Sequence, residues 1–166
     1  MHQSIIDEQD LWKLPPKQRL ERCETILKNE KDESKRWDAV WVAGEIAENR
    51  DKGDDIYNGV ADLMVWTLKH DDNAVVKHEA AFQIAARNMR SKIPDLMASV
   101  ENDPSGLTKH ESLEALGLMR AFEAEDMVKR HCTHPNPDVK QTAEFVLKRL
   151  ERFRATDKEY VPSKVL

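Results

Sequence analysis

The tripeptide Lys-His-Glu occurs twice, at 77–79 and 109–111, inside two segments that run in the same helical frame. The first segment reads "VVKHEAAFQIAARNM" from Val75, the second "LTKHESLEALGLMRA" from Leu107. Such self-similarity is the strongest constraint a chain of this kind carries, because repeats of this length cannot bury their apolar faces alone and must stack. Two further segments align with these, "KRWDAVWVAGEIAEN" from Lys35 and "VKQTAEFVLKRLERF" from Val139. The equivalent positions are Trp37, His78, His110 and Gln141, spaced by 41, 32 and 31 residues. Apolar or small residues recur at helical spacing in each: Ala81, Ile84, Ala85 and Met89 in one, Ala143, Val146, Leu147 and Leu150 in another.

Shorter helical stretches lie between these segments: "DDIYNGVADLMVWTLKH", "IPDLMASVEN" and "EAEDMVKRH". Pro94 in the second is tolerated in a first turn. The breaks "DKGDD", "HDDN", "NDPSG" and "HPNPD" supply the Asp, Asn, Gly and Pro that turns and N-caps require. No stretch of useful length alternates as a strand would. The expected fold is all-α, a short solenoid of about four helix pairs. Residues 1–30 form an N-terminal capping segment, with the helix "PPKQRLERCETILKN" covering the open end of the first repeat. Residues 31–153 form the repeat domain. The tail at 154–166 is expected to be extended or frayed.

Composition limits the function classes. With 166 residues, one domain with a sizeable core is expected. Forty per cent hydrophobic and 34% charged residues with only five glycines fit a helical, strongly solvated chain. No apolar run reaches membrane-spanning length, and the N-terminus lacks the pattern of a signal peptide. Cys23 and Cys132 form no CxxC pair, which points to a reducing, cytoplasmic setting. A net charge of −5, with bases interleaved among acids, argues against nucleic-acid binding.

In a solenoid, equivalent positions of neighbouring repeats sit side by side, on helices about 8–10 Å apart. His78 and His110 can then converge on one point between adjacent helices, where a metal ion fits with bonds of about 2.0–2.1 Å. Iron, manganese and zinc all suit such donors. Glu79 and Glu111 are each one residue further on and diverge from the histidines by about 100°. They are expected to point beside that site, toward a second metal, a substrate or another chain. Trp37 and Asp38 take the motif position in the first repeat, where Trp37 packs or walls the groove. Gln141 is not a usual ligand. The cluster "HCTH" at 131–134 and His70 read as histidines favoured at helix C-termini. Trp12, Trp41 and Trp66 read as core or interface residues, and the scattered methionines as packing.

The stretch from about 71 to 152, with its two His-Glu motifs, their spacing, "HESLEALG" and a last repeat lacking the motif, resembles deoxyhypusine hydroxylase. That family consists of HEAT-repeat di-iron monooxygenases acting on a modified lysine of a translation initiation factor. The family has two such halves and four motifs in one chain; this chain has one half and two motifs. The resemblance implies a HEAT-like solenoid and O₂-dependent hydroxylation. It implies that His78 and His110 bind one iron and that Glu79 reaches across to the iron of the opposite half. Glu111 would stand beside the ligands or face the substrate as a catalytic group. A single half then calls for a two-fold homodimer with one iron per chain and two per dimer. A protein substrate or partner in the concave groove is a further expectation. The competing reading is a HEAT-repeat interaction scaffold without catalysis; a narrower one is a metal-binding dimer that senses O₂ or iron.

Overall fold

The computed structural model describes residues 8–156. Among them the chain is helical without strands: α1 (Glu8–Trp12), α2 (Pro16–Asn29), α3 (Glu33–Ile46), α4 (Asp55–His70), α5 (Ala74–Ala86), α6 (Ile93–Asn102), α7 (Gly106–Leu118), α8 (Glu125–His131) and α9 (Pro137–Thr156). The starts of α3, α4, α5, α7 and α9 follow from a polar side chain that takes orphan backbone N–H groups. Asp32 accepts from Ser34 N, Asp54 from Ile56 N and Tyr57 N, and Asn73 from Val75 N and Val76 N. Ser105 accepts from Thr108 N, and Asn136 from Asp138 N and Val139 N. Three of the ends also share a device. Asn49, Asn88 and Arg120 adopt left-handed backbone with φ of 61°, 49° and 53°. After the last two, Met89 N donates back to Ile84 O and Ala121 N to Leu116 O, which closes α5 and α7 with paired carbonyls.

The helices form two layers. The inner layer runs α3, α5, α7, α9, each packed on the next. The outer layer pairs α2 with α3, α4 with α5, α6 with α7 and α8 with α9. The helix expected as a cap, α2, stands to α3 as α4 stands to α5, so it is also the outer helix of the first pair; α1 packs against both α2 and α3. At the other end α9 continues helical through Thr156, which includes the first three residues of the expected tail. The rest of that tail, and residues 1–7, lie outside the described residues.

Between the layers, Leu68, Ile84, Leu96, Leu113, Leu116 and Met119 are buried to 2% exposure or less. Each such side chain is worth about 1.5–3 kcal/mol of apolar burial. Charged pairs link the repeats in register. Buried Arg36, the residue before Trp37, reaches Asp71 at 2.9 and 3.1 Å and Asp72 at 2.7 Å. Lys77, the residue before His78, reaches Asp103 at 2.8 Å. The inner helices approach closely at two glycines. A Cβ on Gly117 would lie 3.1 Å from Val146, and one on Gly44 2.1 Å from Gln83 Oε1. Both cysteines are free; burial pushes the Cys23 thiol up to about 12, which makes it inert. No helix among the described residues is long and apolar enough to cross a membrane.

Candidate metal centre

His78 lies in the second turn of α5 and His110 in the second turn of α7, on neighbouring inner helices as the repeat register requires. Their connection is through a carboxylate. Glu111 Oε2 is 2.8 Å from His78 Nε2. The turn of about 100° from His110 to Glu111 therefore aims Glu111 back at α5, where the preceding repeat has placed an imidazole. The expectation for Glu111 was a place beside the histidine site; its side chain, only 8% exposed, contacts His78. This contact raises the His78 pKa, the hydrogen bond that its ring N–H donates to Glu111 outweighing desolvation.

Glu79 makes the same turn from α5 toward the α3 side, where the residue equivalent to His78 is Trp37. Its Oε1 accepts from Gln83 Nε2 at 2.9 Å instead. Glu79 is 7% exposed, and burial raises its carboxyl pKa. Gln83 is fully buried and fits only because Gly44 of α3 leaves room for its amide. Trp37 stacks on Trp41 with ring centroids 6.4 Å apart and planes 3° apart, and both remain partly exposed.

The second histidine is oriented by the last repeat. His110 Nδ1 is 2.6 Å from Thr142 Oγ1, which itself lies 2.6 Å from the Asp138 carbonyl one turn back. A hydroxyl has one proton. The Asp138 carbonyl can only accept, so it takes that proton and the hydroxyl accepts from His110 Nδ1–H. In the neutral ring the lone pair is then on Nε2. His110 Nε2 faces Glu114 Oε1 at 3.6 Å. His110, Glu111 and Glu114 each bring one ligand atom within 4.8 Å of the others.

Thus α5 and α7 assemble His78, His110, Glu111 and Glu114, while Glu79 sits one helix-groove away. This donor set of imidazoles and carboxylates fits a divalent transition metal. Glu114 and Thr142 were missed in the sequence. Glu114 was signalled by its i+4 spacing from His110, and Thr142 by standing where the motif glutamates stand in earlier repeats. "HCTH" is structural: His131 Nδ1 bonds the Met127 carbonyl, and His134 Nδ1 accepts from Asn136 N. Beside the cluster a groove is lined by Phe82, Leu118, Phe145, Val146 and Arg149 together with Glu111 and Glu114. Val75, Leu107 and Phe145, at 53%, 41% and 61% exposure, leave an apolar fringe on the inner helices.

Comparison with known proteins agrees with this architecture. A family model described as HEAT repeats matches residues 61–148. Deoxyhypusine hydroxylase of Bos taurus is 32% identical over 84 residues, which are 49% of this chain and 27% of that protein. Deoxyhypusine hydroxylase of Arabidopsis thaliana is 34% identical over 92 residues, 54% of this chain and 29% of that protein. The matched part thus spans between a quarter and a third of these relatives' length. The structure of human deoxyhypusine hydroxylase in complex with glycerol superposes with a TM-score of 0.73 at 20% identity, covering 90% of this chain and 49% of that one. The last likeness is one of fold.

Proposed function

The chain belongs to the HEAT-repeat family, and from that premise we propose that it is a metal-binding, hydroxylase-like protein of the deoxyhypusine hydroxylase kind, with iron as its metal. The observation that carries this reading is the His78–Glu111 contact at 2.8 Å beside His110 and Glu114, which turns two repeated motifs into one cluster. A scaffold gains nothing from gathering two imidazoles and two carboxylates, one of them buried, on adjacent helices.

In this reading His78 and His110 hold the iron, and Glu79 of a second copy completes its coordination. Reduced iron would supply O₂ activation. The chain's own residues do the rest. Thr142 keeps the proton on His110 Nδ1 so that Nε2 is the donor. Glu111 lines a groove with the aromatic rings of Phe82 and Phe145 and offers a carboxylate to a cationic, lysine-derived substrate. Those rings and Leu118 give the groove an apolar wall. The exposed Val75, Leu107 and Phe145 favour a homodimer whose apolar contact surrounds the metals.

The test is elemental analysis of protein made with iron available, followed by O₂ consumption. About one iron per chain in the wild type, and none in the double variant His78→Ala, His110→Ala, is the expected result. Val75→Asp with Leu107→Asp should convert dimer to monomer by light scattering. A folded wild-type protein that takes up no metal would favour the scaffold reading, for which the same apolar fringe is a docking surface.

A further inference from the structure

Helix α3 carries a row at four-residue spacing that no other inner helix repeats: Glu33, Trp37, Trp41 and Glu45. Successive members are one turn apart, so each shares a helix face with the next. The two indoles lie parallel, their centroids 6.4 Å apart and their planes 3° apart, and both are partly exposed. Both glutamates are exposed. The row belongs to the first repeat and shares no residue with the His78–Glu111 cluster.

Two contrasts bear on what the row meets. The chain's other tryptophans each carry a cation of the same chain, Arg19 over Trp12 at 5.2 Å and Lys28 over Trp66 at 5.4 Å. Among the described residues no cation stands over Trp37 or Trp41. The bases at the two ends of the row are turned elsewhere. Arg36, three residues from Glu33, holds Asp71 and Asp72. Arg87, which α5 sends to the far end of α3, donates to the Gly44 carbonyl. An open indole face attracts a cation, and a carboxylate at either end adds charge of the matching sign.

We propose that this row is a docking surface for an extended, basic segment of a partner protein, whose lysine or arginine side chains lie on Trp37 and Trp41 between Glu33 and Glu45. The spacing fits such a segment. Alternate side chains of an extended chain recur on one face about every 6.6 Å, close to the 6.4 Å between the indoles. The row runs about 18 Å along the helix, which about five or six extended residues span. Single-stranded nucleic acid also stacks on aromatic rings, but its backbone needs a positive groove, and glutamates at both ends repel phosphate. The surface stands whether or not the α5–α7 junction holds metal.

Fluorescence anisotropy tests this with a labelled peptide of alternating arginine and glycine, beside the same peptide with glutamine for arginine. The basic peptide should bind wild type about tenfold or more tighter than the glutamine peptide. Trp37→Leu with Trp41→Leu keeps every charge and should weaken binding about fivefold or more. Glu33→Gln with Glu45→Gln changes only exposed positions, so the fold is kept; binding should weaken about threefold or more and depend less on salt. No binding by wild type, equal binding of the glutamine peptide, or undiminished binding in the glutamine pair or in a leucine pair that circular dichroism shows to be folded, each overturns the proposal. So does conversion of a dimer to monomer by the leucine pair in light scattering, which would assign the face to a second copy. None of these outcomes bears on the metal-centre reading.

Discussion

Thr142→Val removes one hydroxyl and keeps the side chain's volume. In the folded chain that hydroxyl is 2.6 Å from His110 Nδ1 and 2.6 Å from the Asp138 carbonyl. The carbonyl retains its helical partner, so little is lost there. The imidazole N–H loses its acceptor, but the His110 side chain is 32% exposed and water can replace part of the bond. The stability cost should therefore stay at the low end for a lost hydrogen bond, about 0.5–1 kcal/mol. On the proposed metal-binding reading, the effect on metal affinity is larger. Without the acceptor the ring is free to rotate or to carry its proton on Nε2. Losing such an orienting partner costs about 10–100-fold in affinity, or about 1.4–2.7 kcal/mol. Cobalt titration beside urea denaturation separates the two quantities. Thr142→Ser should restore most of the affinity. If the valine variant binds cobalt like wild type while His110→Ala does not, or if serine fails to restore binding, the tautomer argument is wrong.

Gly44→Ala places a Cβ 2.1 Å from Gln83 Oε1 and must swing that amide off Glu79. A gain of about 1 kcal/mol in helix propensity is set against a charged hydrogen bond worth about 1.5–3 kcal/mol, so urea denaturation should show a net loss; a more stable variant would refute the close packing. Glu79→Gln should raise the melting temperature at pH 7, because burial holds the folded pKa of Glu79 above its unfolded value. The favourable contribution of this group is complete below the unfolded value of about 4.3 and is lost as pH rises through the folded value. The advantage of the glutamine variant should therefore vanish below about pH 4; a constant advantage at all pH values would contradict it. Arg36→Ala strands Asp71, whose side chain is 1% exposed. It should cost about 3–5 kcal/mol, and a loss under about 1 kcal/mol would show the pair to be peripheral.

How much of this was legible in the sequence depends on which kind of information a side chain's position needs. The breaks at 70–73, 102–106 and 134–138 were legible because Asn73, Ser105 and Asn136 cap the next helix locally. The adjacency of His78 and His110 was legible because register in a solenoid is set by repeat length. The partner of Glu111 was not, because it depends on which side of α7 faces α5, and the i to i+1 turn leaves that open. The dependence of Gln83 on Gly44 was hidden for the same reason: it is a contact between repeats, 39 residues apart in the chain. Thr142 was hidden because its role is held in a segment that lacks the motif.

Aligning repeats draws the eye to what recurs, yet the chemistry here arises where recurrence fails. Down the inner layer the motif position reads Trp37, His78, His110, Gln141; the next reads Asp38, Glu79, Glu111, Thr142; the one four on reads Trp41, Phe82, Glu114, Phe145. Two inner helices offer their second-column residue to the first-column residue of the helix before: Glu111 to His78 and Thr142 to His110. Only α7 has a histidine on that side, in His78, and a hydroxyl on the other, in Thr142. Glu79 instead accepts from Gln83 of its own helix, and the first-column residue of α3 is Trp37. A stack of identical repeats would make a ladder of equal weak sites. Four unequal ones gather a single cluster at the α5–α7 junction, and among the described residues they leave Glu79 bonded to Gln83 rather than to a histidine.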